Sequence, residues 1–107
     1  MNLSRPALIL FLAATSFLPA FASSSDKHHG AAVFAENGCQ HCHSIRKSGG
    51  TKGPDLSGIG RTLNKDQIRT QILQGGHAMP PFADILDKSE VDDLVAYLHS
   101  CRDKKPK

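Results

Sequence analysis

The stretch that most constrains this chain is Cys39-Gln40-His41-Cys42-His43. Two cysteines three apart, with a histidine directly after the second, have the spacing of covalent c-type haem attachment. If the segment forms a helical turn, residues three and four apart share one face, so Cys39, Cys42 and His43 point the same way. Such a trio meets a flat macrocycle at its edge and its face together. The thiols would add to the two haem vinyl groups, and His43 would reach the iron as proximal ligand.

Two other readings of the cysteine pair stand beside that one. A dithiol redox site wants a preceding strand in a βαβ setting, and no such pattern surrounds Cys39. A structural zinc site would draw on Cys39, Cys42, His99 and Cys101, but His99-x-Cys101 lacks the spacing usual in the second half of such sites.

The N-terminus reads as an export signal. Arg5 gives a positive start, Ala7 to Leu18 is almost wholly apolar, and Pro19-Ala20-Phe21-Ala22 ends in the small-x-small pattern of a cleavage site. Residues 1–22 are therefore assigned to a signal peptide cleaved after Ala22, and residues 23–107 to one domain. An uncleaved membrane anchor is the other reading, but the apolar run falls short of a full span. The expected location is periplasmic, with no stable membrane insertion after cleavage.

The remaining chain is short for a self-sufficient core and has no Trp. Domains of this size often need a staple, and a bound haem would supply the missing apolar mass. The haem-free chain is therefore expected to fold poorly, which circular dichroism of the apoprotein would test. The formal charge of +3 includes Arg5, and two haem propionates would bring the mature protein close to neutrality. That balance gives no argument for nucleic acid. Cys101 is left over from the haem motif and is expected to be a buried thiol.

Helical periodicity recurs three times. Asp26 is a plausible N-cap for a first helix to about Asn37, with Gly30, Val33 and Phe34 on one face and Gly38 at its end. Ser44 to Gly60 reads as loop, punctuated by glycines and Pro54. Asn64 opens a second helix with Gln67 as capping-box partner, and Gly75-Gly76 stops it. Phe82 to Leu86 fits a short turn of helix. A last helix is expected to begin at Ser89, capped with Asp92, and to run to Ser100 with Val91, Leu94, Val95 and Leu98 on its apolar face. No stretch shows strand alternation, so the fold class is all-α.

An iron held by His43 needs a ligand on its other face. Past the leader the sequence has one methionine, Met79, in Gly76-His77-Ala78-Met79-Pro80-Pro81-Phe82. Prolines limit the backbone freedom lost on ordering such a loop. Met/His ligation fills both axial sites and raises the reduction potential relative to two nitrogen ligands. Core filling is the commoner role of methionine, though the glycine and proline pairs around Met79 argue against packing alone. His77 is the rival ligand, since imidazole also suits haem iron. His28, His29, His41 and His99 read as surface or helix-face residues. A metal-bound histidine usually donates its other ring N–H to a carbonyl or carboxylate, and the Pro54 carbonyl is the candidate acceptor from His43. An ordinary turn at Gly53-Pro54-Asp55-Leu56 is the alternative, and spacing alone does not decide between them.

With these residues in place, the chain resembles a small exported bacterial class I cytochrome c with one haem, over about His28 to Ser100. Gly30-x-x-x-Phe34 and Leu94-x-x-Tyr97-Leu98 look like the family's crossing of N- and C-terminal helices. Cys39-x-x-Cys42-His43, Gly53-Pro54-x-Leu56 and Met79-Pro80-Pro81-Phe82 look like its attachment motif, proline turn and ligand loop. The resemblance implies haem c bound through Cys39 and Cys42, His43 and Met79 as axial ligands, and Pro54 as acceptor from His43. It places Leu56 and Ile59 in the haem pocket and pairs Arg61 with a propionate. Cys101 departs from the common pattern. The implied function is a monomeric one-electron carrier, not an enzyme, shuttling between membrane or periplasmic oxidoreductases as redox partner proteins. The alternatives are a haem enzyme or gas sensor with a displaceable Met79, or a haem subunit of a larger oxidoreductase.

Overall fold

The computed structural model describes residues 7, 9–18 and 25–106, so the expected cleavage after Ala22 lies outside the described residues. Among the described residues four helices carry the fold: α1 (Lys27–Glu36), α2 (Ile59–Thr62), α3 (Lys65–Gln74) and α4 (Lys88–Ser100). A 3-10 turn at Cys39–His41 precedes a minimal hairpin of β1 (Ser44–Ile45) and β2 (Ser48–Gly49). Those strands, paired Ser44 to Gly49 and Ile45 to Ser48, are too short for alternation to register in the sequence. No helix among the described residues is long and apolar enough to cross a membrane.

Helix α1 starts where Asp26 accepts the N–H groups of His28 at 2.8 Å and His29 at 3.2 Å, satisfying donors that a helix start leaves unpaired. It packs across α4. Gly30 leaves room there for the Asp93 backbone and Tyr97 Cβ, and Phe34 meets Tyr97 edge to face with centroids 5.9 Å apart. Asp93 fastens the crossing. It is 8% exposed, and its carboxylate accepts the Asp26 N–H at 2.7 Å and pairs with His29 Nδ1 at 2.6 Å. His29, exposed on the α1 face as expected, thus also anchors the crossing through its ring.

Helix α3 opens with the expected Asn64–Gln67 capping box. Helix α4 begins at Lys88, one residue before the expected start at Ser89. Asp87 is its N-cap and Glu90 the reciprocal partner, whereas Asp92 bonds to Arg69 at 2.7 Å and Lys88 at 2.8 Å. Both pairs fit a capping pattern, but in the fold Asp92 is occupied by the cations facing it. Past α4 the chain turns back. Gly60 donates to the Cys101 carbonyl, Asp103 donates to the Ser57 carbonyl, and Arg102 donates to the Gly60 carbonyl. Cys101 is buried, with Sγ 3.4 Å from the Tyr97 carbonyl oxygen. Burial pushes its thiol pKa up, the environment of a structural rather than a reactive cysteine.

The core runs from Val33 and Phe34 of α1, through Ile68 and Ile72 of α3, to Val91, Leu94, Val95 and Leu98 of α4, with Leu56 and Leu86 from the connections.

Candidate haem site

Gly38, at φ 71°, ends α1 and turns the chain into the attachment motif. Cys42 and His43 both donate backbone N–H groups to the Cys39 carbonyl, at 3.2 and 2.9 Å. This is the helical turn that brings the two cysteines and the histidine onto one face. Cys39 and Cys42 are free and half-buried, and burial pushes the Cys39 thiol pKa up.

The His43 ring is held from two directions. Its Nδ1 lies 2.8 Å from the Pro54 carbonyl oxygen. A carbonyl only accepts, so Nδ1 is the donor, and in the neutral ring Nε2 is the nitrogen that can bind a metal. On the ring's flank is Gly53, where a Cβ would come within 2.6 Å of Cε1. The loop carrying Pro54 is fixed by the Gly53 N–H on the Cys42 carbonyl at 2.7 Å and the Leu56 N–H on the Ser44 carbonyl at 2.8 Å.

Met79 sits on a loop folded just as tightly. Gly76 and Met79 exchange backbone hydrogen bonds of 3.0 and 2.9 Å around His77 and Ala78. Gly75, at φ 64°, lies where a Cβ would crowd Pro80 and Pro81. The Phe82 N–H donates to the Ile72 carbonyl at 3.0 Å, docking the loop's exit on α3.

These elements surround one apolar crevice. Cys39 and His43 line one part of it and Met79 with Phe82 another; Phe34, Leu56, Ile72, Leu94 and Leu98 complete it. Ile59 packs against the core outside this lining, and Arg61 is exposed on α2. His77 is exposed at its turn, with φ 53°. Sequence reasoning missed Gln71, whose Nε2 lies 3.7 Å from Met79 Sδ and donates to the Gly75 carbonyl at 3.2 Å. A glutamine on an exposed helix position carries no signal of such a role.

The residues fit a haem. Paired thiols, an oriented imidazole and a thioether border a cleft whose walls are otherwise aliphatic and aromatic. They do not fit zinc: among the described residues no three His, Cys, Asp or Glu side chains converge to hold a metal ion.

Comparison with known proteins agrees. The family model described as "Cytochrome C oxidase, cbb3-type, subunit III" matches residues 25–98. Cytochrome c6 of Synechocystis is 35% identical over 102 residues, covering 91% of this chain and 82% of its own. Cytochrome c-555 of Methylococcus capsulatus is 32% identical over 83 residues, covering 75% and 68%. Among solved structures, SoxXA from P. pantotrophus superposes with TM-score 0.67 at 21% identity over 77% of this chain and 85% of that one. SorU, a c-type cytochrome from Sinorhizobium meliloti, gives 0.61 at 22% identity over 71% and 90%. At those identities the structures speak for the fold alone. The chain belongs to the cytochrome c family, matching its cbb3-type subunit III model, and is a small all-α member with a covalently bound c-type haem.

Proposed function

We propose that the protein is an exported one-electron carrier whose haem iron is ligated by His43 and Met79. The observation that carries this reading is the hydrogen bond from His43 Nδ1 to the Pro54 carbonyl at 2.8 Å. It makes Nδ1 the donor nitrogen, so Nε2 is the one turned to a metal, and it aims the ring in a crevice that Met79 also lines. Residues 1–22 serve as the export signal, and the mature domain works in the periplasm on redox partner proteins.

The haem supplies the iron couple that holds the electron. Cys39 and Cys42 would tether it, and His43 and Met79 would ligate its iron and leave no room for exogenous ligands. Phe34, Leu56, Ile72, Leu94 and Leu98 keep water from it. A site so closed suits outer-sphere electron transfer rather than oxygen chemistry.

The test is the optical spectrum of the oxidised and reduced holoprotein with and without carbon monoxide, alongside Met79→Ala. Low-spin spectra with a weak far-red methionine–iron(III) band and no carbon monoxide response are expected. Met79→Ala should lose that band, bind carbon monoxide and show a lower potential. An unchanged potential in the variant would refute the assignment of Met79.

The matched family description names an oxidase subunit, which favours a second reading, a haem subunit of a larger oxidoreductase. Stable copurification with a membrane oxidoreductase at high salt would select it over a diffusible carrier.

A further inference from the structure

The loop that brings the Pro54 carbonyl to His43 is held by the backbone bonds of Gly53 and Leu56, and Asp55 adds a side-chain tie across it. Its Oδ1 accepts the Ser57 N–H at 2.7 Å and its Oδ2 accepts the Ser44 hydroxyl at 3.2 Å. One carboxylate thus bridges the residue after the imidazole and the segment after the proline. The hydroxyl and N–H of Ser57 hold the Asp55 pKa below its ordinary value, so the carboxylate is ionised near neutrality.

A second set of bonds backs the first. Ser57 Oγ accepts the Arg46 N–H at 2.7 Å, and the Ser57 carbonyl accepts the Asp103 N–H at 3.0 Å. The Arg46 guanidinium then grips the Asp103 carboxylate through Nε at 2.8 Å and Nη2 at 3.2 Å. The hairpin, the proline loop and the chain beyond α4 are joined around Ser57.

We propose that Asp55 is a positioning residue for His43: by holding Ser44 and Ser57 together it keeps the Pro54 carbonyl on Nδ1 and so sets how strongly the imidazole donates to the iron. The inference rests on His43 being the proximal ligand. A well-placed acceptor on the outer ring nitrogen makes an imidazole the more basic ligand. That favours the ferric ion, so slackening the acceptor raises the reduction potential. Losing the Asp55 charge also raises it without moving any atom, and two substitutions separate these effects. Asp55→Asn removes the charge but keeps an acceptor for Ser57 and a partner for Ser44. Asp55→Ala removes both.

The experiment compares wild-type, Asp55→Asn, Asp55→Ala and Ser44→Ala holoproteins by spectroelectrochemical titration. NMR then follows the His43 ring protons of the ferric form and the exchange rates of the Arg46 and Ser57 amides. Asp55→Ala should lie above Asp55→Asn by up to about tenfold in the ferric-to-ferrous preference for His43, or ~59 mV for one electron. It should also shift the His43 ring signals and speed exchange of the Ser57 amide. Ser44→Ala, which changes no charge, should move the potential in the same direction and decides the matter if Asp55→Ala does not mature. Asp92→Ala, which breaks the ion pairs with Arg69 and Lys88, should leave the His43 signals in place. Equal potentials for Asp55→Asn and Asp55→Ala, with His43 signals unchanged in Asp55→Ala and Ser44→Ala, would overturn the inference alone. A wild-type spectrum without histidine ligation would overturn the functional reading as well.

Discussion

Gly30 lies against the carbonyl of Asp93 so closely that a Cβ would overlap it, and would come within 2.7 Å of Tyr97 Cβ. Helices α1 and α4 therefore cross backbone to backbone. The clash involves a helix backbone, so no side-chain rotation relieves it. Gly30→Ala is expected to destabilise the holoprotein by about 1–3 kcal/mol, measured as a fall in denaturant midpoint at unchanged slope. An unaltered midpoint would mean that the helices do not meet as described.

Gly53 stands to His43 much as Gly30 does to Asp93. A Cβ there would lie 2.6 Å from Cε1 and 2.9 Å from Nδ1, so Gly53→Ala must turn the imidazole or lift the loop off it. Either response weakens the bond to Pro54. The expected result is a lower yield of haem-loaded protein and, in what matures, a reduction potential above wild type. A variant with wild-type yield and potential would show that the ring is not wedged in place.

The His29–Asp93 pair predicts a pH dependence on both sides. The hydrogen bond to Asp93 raises the His29 pKa above 6.5, so its stabilisation is full below pH 6.5 and fades as pH rises through the raised value. Asp93 moves the other way. The Asp26 N–H, and then His29, hold it below 3.8, so its contribution is full above that pH and fades as pH falls through the depressed value. The stability difference between wild type and His29→Leu should therefore be greatest between about pH 4 and 6.5 and shrink above it. A difference that grew from pH 6.5 to neutrality and beyond would contradict the pairing.

Much of this was legible in the sequence because it rests on local rules. The attachment turn, the Asn64–Gln67 box and the apolar face of α4 are each set by residues within seven positions of one another. Asp93 was not legible. It lies among core positions of α4, and only the arrival of Asp26 and His29 from far along the chain explains a carboxylate there. The start of α4 was misplaced because two capping patterns overlap at Asp87 and Ser89, and tertiary pairing of Asp92 with Arg69 separates them. Arg61, which the resemblance pairs with a propionate, is an exposed residue on α2, a position open to such a pairing.

Gln71 illustrates the same limit within the site, and its contact yields a prediction. Its Nε2 lies 3.7 Å from Met79 Sδ, where a donor would draw electron density from the thioether and make it a poorer ligand for ferric iron. With Met79 as ligand, Gln71→Leu should lower the reduction potential. A weak hydrogen bond of about 0.5–1 kcal/mol corresponds to ~20–45 mV. A potential that rises or stays fixed would place Gln71 outside the electronics of the site.

The hairpin between β1 and β2 turns through Arg46 and Lys47, both in the left-handed region at φ 51° and 66°. Two-residue turns of this kind favour Asn-Gly, which is why Arg-Lys gave no hairpin signal. The left-handed conformation costs a non-glycine residue about 1–2 kcal/mol. At Arg46 the bonds to Ser57 and Asp103 offset that cost, and the side chain cannot be replaced without losing the grip on Asp103. Lys47 is exposed, with no side-chain hydrogen bond or ion pair among the described residues. Glycine adopts the conformation freely but gives up more unfolded-state entropy, about 0.4–1 kcal/mol. Lys47→Gly should therefore stabilise the holoprotein by up to about 1 kcal/mol, a rise of several degrees in Tm for a domain this size. Loss of stability in this variant would mean that the turn at 46–47 is not left-handed, and the tie from Arg46 to Ser57 would fall with it.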